Sequence, residues 1–170
     1  RRIGKLLFFD PILSGNNKRS CASCHNQEMY FTDTTVQTAL QFDSRSHLSR
    51  GTPSLVNVIY NHLIMQDGKH QTILEQGKTV IENPIEMHGM GKEILNKILS
   101  CPEYKNAFRD FVKLTPEENK ITIDHVVSAI SSYYGSFSNY YSPFDDAMNQ
   151  GSAVDEKVHQ GFNLFMSKAR

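Results

Sequence analysis

Five consecutive residues, Cys21-Ala22-Ser23-Cys24-His25, carry the sharpest chemistry in this sequence. Two thiols three positions apart, followed at once by an imidazole, match the attachment pattern of c-type haem. From one turn of backbone the thiols reach the two vinyl groups of the macrocycle. His25 then offers a ring nitrogen to the iron as proximal ligand. Other chemistries use the same residue types. A thiol–disulfide Cys-x-x-Cys is expected beside a βαβ pattern, and none is present. A zinc site requires further Cys or His at close spacing, yet the remaining thiol is Cys101, next to Pro102. Covalent haem is the reading that context favours.

The rest of the chain must position such a group. Its 170 residues amount to one ordinary domain, or one domain plus a fragment of another. With 39% apolar and 21% charged residues it can bury a core. Eighteen basic residues balance eighteen acidic ones, which argues against nucleic-acid binding by counterion release. The longest apolar run, Leu6-Leu7-Phe8-Phe9, is far too short to span a bilayer. Three Cys cannot build a disulfide framework, and there is no Trp. The chain starts at Arg1-Arg2 with neither Met nor an apolar leader. It stops at Ser167-Lys168-Ala169-Arg170, directly after an apolar helical stretch. Both ends are expected to be cut edges of a longer protein.

The second half reads as helices. Ile94, Leu95, Ile98 and Leu99 share a face, and Tyr104, Phe108, Phe111 and Val112 share another. Thr115-Pro116-Glu117-Glu118 combines an N-cap, a first-position Pro and a capping-box Glu. Val126, Ile130, Tyr133 and Phe137 predict one long helix, broken at Ser142-Pro143. Val154, Val158, Phe162 and Phe165 predict a last one, with Ser152 as its cap. The first half is loops separating short apolar pieces, with breaks at Gly15-Asn16-Asn17, Thr52-Pro53, Asp67-Gly68 and Asn83-Pro84. Expected is a mainly α fold of short helices and long loops, whose weak first half gains stability from a bound cofactor.

The sequence resembles the bacterial di-haem cytochrome c peroxidases and the related methylamine-utilisation maturation enzymes. The likeness runs from Ile3-Gly4-Lys5-Leu6-Leu7-Phe8-Phe9-Asp10-Pro11 with Leu13-Ser14, through Ser20 to His25, to Phe31-Thr32-Asp33. It continues in Arg50-Gly51-Thr52-Pro53-Ser54-Leu55-Val56-Asn57, Asp67-Gly68-Lys69 and Leu74-Glu75-Gln76. It closes with Glu82-Asn83-Pro84-Ile85-Glu86-Met87 and Ser142-Pro143-Phe144-Asp145. In that family Gly161-Phe162-Asn163-Leu164-Phe165 would lead to a second haem motif. The resemblance therefore implies a cytochrome c-like peroxidatic haem domain at 1–150 and the opening helix of a second haem domain at 151–170.

The resemblance also implies roles. Hydrogen peroxide would be reduced to water at the haem of this domain. A small donor protein, of cytochrome c or cupredoxin type, would supply electrons through the second domain. Glu86 matches the distal acid/base and Gln76 its hydrogen-bonding partner; outside the pattern they would read as a solvated loop carboxylate and a helix-surface amide. Arg50 is a candidate partner for a haem propionate. His47 is a candidate distal iron ligand, a few residues from where alignment puts one. His62, His70, His88, His125 and His159 have no motif support. Met87 and Met90 could bind iron but Met more often fills gaps. Tyr133, Tyr134, Phe137, Tyr140 and Tyr141 read as stripes of one helix, and Cys101 as an incidental thiol.

Two departures stand out. Gly51 replaces an Asn that in the family supports calcium between the domains, which leaves calcium doubtful here. Gln66 replaces a Trp that the family places between its two haems. Haem attachment to exported apoprotein implies a periplasmic or otherwise exported protein, with a homodimer among its options. Two alternatives accompany the peroxidase reading: an electron-transfer cytochrome domain with two strong axial ligands, and a di-haem oxidase acting on a protein or organic substrate.

Overall fold

The computed structural model describes residues 1–33, 38–113, 120–138, 142–151 and 153–169. They form seven α-helices and four short 3-10 turns, with no sheet. The mainly α expectation holds. Two compact units emerge, residues 1–138 and 139–170.

In the first unit the helices are α1 (Arg2–Phe9), α2 (Ile73–Glu82), α3 (Gly91–Ser100), α4 (Pro102–Val112) and α5 (Ile123–Tyr134). The apolar run seen near the N-terminus is helical: Leu7 and Phe8 are fully buried in the core. Gly4 makes this packing possible. A Cβ there would stand 1.8 Å from the Ala129 carbonyl oxygen, so α1 and α5 touch backbone to backbone. Burying the Leu7 and Phe8 side chains stabilises the fold by about 1.5–3 kcal/mol each. Tyr104 of α4 donates to Asp10 Oδ2 at 2.8 Å, while Asp10 Oδ1 caps the 3-10 turn Pro11–Leu13 through the Ile12 amide.

The expected faces of α3 and α4 are present, with Ile94, Ile98, Tyr104 and Phe108 buried. Phe111 is a correction: it is 41% exposed, its ring edge-on to His125. A second correction concerns α5. Val126 and Ile130 are buried as expected, but the helix ends at Tyr134, so Phe137 lies beyond it and Ser142-Pro143 does not break it. The terminus falls at Gly135, a poor helix former, where a Cβ would meet Ile59 Cγ2 at 2.9 Å. The chain turns there, and the Phe137 carbonyl accepts from the Asn57 amide.

In the second unit, Ser142-Pro143 opens α6 (Pro143–Gln150). Ser142 Oγ accepts from the Asp145 amide at 3.2 Å and Asp145 Oδ2 accepts from the Ser142 amide at 2.8 Å. Asp145 is thereby held below the usual carboxylate range, chiefly by the Ser142 hydroxyl. Helix α7 (Glu156–Ser167) is capped by Asp155, so Val154 precedes it. The rings of Phe144 and Phe162 pack at 5.2 Å. The capping box at Thr115-Pro116-Glu117-Glu118, the Ser152 cap, Tyr140 and Tyr141 lie outside the described residues.

Candidate haem-binding site

The Cys pair sits on a single 3-10 turn, Cys21–Ser23, closed by the Cys24 amide to the Cys21 carbonyl at 3.2 Å and the His25 amide to the same oxygen at 2.9 Å. Ser20 starts the turn, its amide donating to Ser23 Oγ at 3.0 Å. One bend of backbone thus carries both thiols and the imidazole.

His25 is oriented from outside the motif. Its Nδ1 lies 2.8 Å from the Phe31 carbonyl oxygen. A carbonyl only accepts, so Nδ1 carries the proton and the Nε2 lone pair is the one available to a metal. Residues 26–32 fold back to allow this, with Phe31 N donating to Asn26 O at 2.8 Å and Thr32 N to Met29 O at 3.1 Å. Tyr30 and Phe31 adopt left-handed backbone, φ 55° and 58°. For side-chain-bearing residues this costs about 1–3 kcal/mol each. Neighbours over-determine the bend. Ser54 Oγ donates to Tyr30 O at 2.6 Å, Thr32 Oγ1 donates to Thr52 O, and the Phe31 ring stacks on Phe137 at 3.9 Å. The Phe31-Thr32 and Thr52-Pro53-Ser54 stretches therefore meet around the imidazole.

Burial governs the electrostatics. It pushes the Cys21 thiol up to about 12, with the Cys24 charge adding to it. Cys24 is raised by burial, with Arg19 opposing and Asp33 and Glu86 reinforcing. His25 is lowered by burial, against the Phe31 and Pro53 carbonyls. Both cysteines are free thiols. Protonated thiols suit a redox Cys-x-x-Cys poorly, because exchange chemistry runs through the thiolate. A neutral imidazole is the ligand form. Among the described residues no group of three or more His, Cys, Asp or Glu could cage a metal ion.

Glu86 follows α2. Thr72 caps this helix through the Glu75 amide at 3.2 Å, and it ends at Asn83. Asn83 organises the turn: Nδ2 donates to Glu86 Oε1 at 3.0 Å, and its carbonyl accepts from the Glu86 and His88 amides. Glu86 is half-buried, and burial raises its carboxyl above the ordinary value while Asn83 and Arg19 pull it down. Electrostatically Glu86 acts on Cys24, which brings the carboxylate and the attachment motif into one field. Met87 is buried beneath, and its carbonyl accepts from Gly15 N at 2.9 Å.

The other anticipated residues are distributed differently. Gln76 is half-buried on α2; its Nε2 has only a weak 3.9 Å contact with Met65 Sδ, and among the described residues no hydrogen bond joins it to Glu86. His47 is exposed, with Nδ1 donating to the Thr38 carbonyl. Arg50 pairs with Asp67 at 2.9 Å, both about half exposed, and that hydrogen bond leads in holding the Asp67 carboxyl low. Gln66 is exposed beside it. A groove of about 570 Å³ at the start of α2 and the end of α5, lined by Thr72, Leu74, Ser131 and Gly135 among others, includes none of Cys21, Cys24, His25 or Glu86. It is separate from the Cys21–His25 turn.

Two contributors escaped sequence reasoning: Arg19, which bonds to three carbonyls, and the Phe31 carbonyl itself. Both act through backbone partners, which leave no spacing signal. Their only hint is proximity to the Cys pair.

Comparison with known proteins bears on this arrangement. The family described as di-haem cytochrome c peroxidase matches residues 1–153. Cytochrome c551 peroxidase of Pseudomonas aeruginosa is 33% identical over 168 residues, covering 98% of this chain and 47% of that protein. The methylamine utilization protein MauG of Methylorubrum extorquens is 30% identical over 168 residues, covering 98% and 46%. Among solved structures, a MauG-like protein associated with microbial copper homeostasis superposes with a TM-score of 0.80 at 25% identity, over 96% of this chain and 47% of that one. The chain thus spans about half the length of the curated relatives it matches. Haem c is the cofactor the family implies, and the Cys pair with a tautomer-fixed His25 suits it. A match over nine-tenths of the sequence, with the attachment motif built as described, means that this chain belongs to the di-haem cytochrome c peroxidase family.

Proposed function

We propose that this chain is the peroxide-reacting haem domain of an exported di-haem oxidoreductase. The observation that carries the reading is Glu86: a half-buried carboxylate, held by Asn83, within electrostatic reach of Cys24. A carboxylate so placed can move a proton for peroxide chemistry, which passing electrons alone does not require.

In this reading Cys21 and Cys24 hold the macrocycle through thioether bonds and His25 Nε2 binds the iron. Bound haem supplies the redox centre at which hydrogen peroxide, two electrons and two protons become two waters. Glu86 accepts a proton from one peroxide oxygen and delivers it to the oxygen that departs, so that water leaves instead of hydroxide. Burial suits it to this task, since a raised carboxyl is the stronger base and titrates nearer the pH at which it must both take and return the proton. Gln76 orients the peroxide through its amide, giving up its weak Met65 contact. Arg50 exchanges Asp67 for a propionate, and His47 would leave the Thr38 carbonyl to approach iron at rest. The domain occupies 1–150, with 151–170 opening a second haem domain that receives electrons from a small donor protein.

A second reading, oxidation of a protein or organic substrate, is favoured by the comparable identity to MauG, 30% against 33%. It shares the pocket and differs in what is oxidised. Glu86→Gln in the full-length haem-loaded protein tests the acid/base role. Peroxide turnover is expected to fall about 10²–10⁴-fold, with haem content unchanged. Near-normal turnover would remove Glu86 from the reaction.

A further inference from the structure

Arg19 stands two residues before the Cys pair, and its guanidinium donates to three backbone carbonyls. Nη1 donates to the Leu40 carbonyl at 2.7 Å and to the Glu86 carbonyl at 3.3 Å; Nη2 donates to the Gln41 carbonyl at 2.6 Å. No carboxylate forms a salt bridge with it among the described residues. Its own backbone is anchored too: the amide donates at 3.2 Å to Ser14 Oγ, a fully buried hydroxyl. The contacted segments are also joined to each other, with Phe42 N donating to Ile85 O at 2.8 Å.

We propose that Arg19 is a positioning residue for Glu86: one planar guanidinium locks the 40–42 strip and the 83–87 turn to the chain that enters the haem-attachment motif. The proposal rests on the role given to Glu86 above. A rigid fork can serve carbonyls from two segments at once, whereas an ammonium on a flexible stem is a single point of attachment. Charge adds to geometry. Arg19 draws the Glu86 carboxyl down against its burial, favouring the form that accepts a proton. Asn83 acts in the same direction. Of the other titratable groups in this field, Asp33 acts on Cys24, and Cys24 ceases to titrate once it becomes a thioether.

The test uses the full-length haem-loaded protein and the variants Arg19→Gln and Arg19→Lys. Amide hydrogen exchange of peptides spanning 40–42 and 83–88 is expected to rise about tenfold in both, as two segments lose their shared anchor. Peroxide kcat/KM is expected to fall about ten- to a hundredfold through misplacement of Glu86, with Lys no better than Gln in exchange. The acid limb of the pH profile should move to higher pH in Arg19→Gln, because removing the positive charge lets the carboxyl rise, and should stay nearer wild type in Arg19→Lys. Unchanged exchange in both variants would overturn the lock whatever happens to turnover. Faster exchange with wild-type turnover and an unmoved acid limb would overturn the positioning role. Glu86→Gln, assayed alongside, separates this failure from that of the parent reading: if it retains full turnover, Glu86 is idle, and the exchange data alone still decide whether Arg19 joins the segments.

Discussion

The helical framework and the loop region around the Cys pair are held together by different forces. In the framework α1 lies directly against α5, and the buried set Leu7, Phe8, Ile94, Ile98, Phe108 and Val126 is apolar. Around Cys21–His25 the described chain is short turns, two left-handed residues in succession, and side chains bonded to distant carbonyls. Apolar burial is non-directional and tolerates small shifts. A carbonyl-anchored turn is directional, and its geometry is lost when one donor goes. The difference teaches that the site's shape is stored in hydrogen bonds while the domain's stability is stored in packing.

Substitutions on either side sharpen this contrast. The largest effect belongs to Gly4→Val. No rotamer relieves a Cβ that would sit 1.8 Å from a backbone oxygen, so α1 must separate from α5. Loss of cooperative thermal unfolding is expected, and a melting curve like that of wild type would show that the contact yields. Next comes removal of the proposed haem attachment, through Cys21→Ala with Cys24→Ala. Amides of 26–32 and 52–54 should exchange faster by an order of magnitude while those of α1 and α5 stay protected. Equal loosening of both regions would break the distinction drawn above. The smallest is Tyr30→Gly. Tyr30 is 79% exposed and left-handed, so little packing is lost and strain is relieved. A gain of about 0.5–1 kcal/mol is expected by chemical denaturation, and a loss of that size would mean the Tyr30 ring does more than its exposure suggests.

Much of this was legible beforehand. The mainly α class and the burial of Ile94, Ile98, Tyr104, Phe108, Val126 and Ile130 followed from periodicity, and the Cys21–His25 spacing marked a candidate haem site. The misses have specific causes. Phe137 fits the period of α5, yet the helix stops at Gly135, a poor helix former, before reaching it. Phe111 fits the stripe of α4 but lies at its exposed end, against His125. Helix α1 went unrecognised because its apolar residues are contiguous, and a short run of that kind does not distinguish helix from strand.

The sequence by itself determined the chemistry on offer: two thiols and an imidazole in fixed order, a carboxylate after Asn83-Pro84, and helix faces that could bury a core. Only the tertiary structure decided which nitrogen of His25 keeps its proton, since that depends on a carbonyl six residues away, brought back by two successive left-handed residues. It also decided that Arg19 addresses three carbonyls, at positions 40, 41 and 86. Side-chain types are written in the sequence, but a backbone carbonyl is the same at every position. Which one a donor meets is settled when the chain folds.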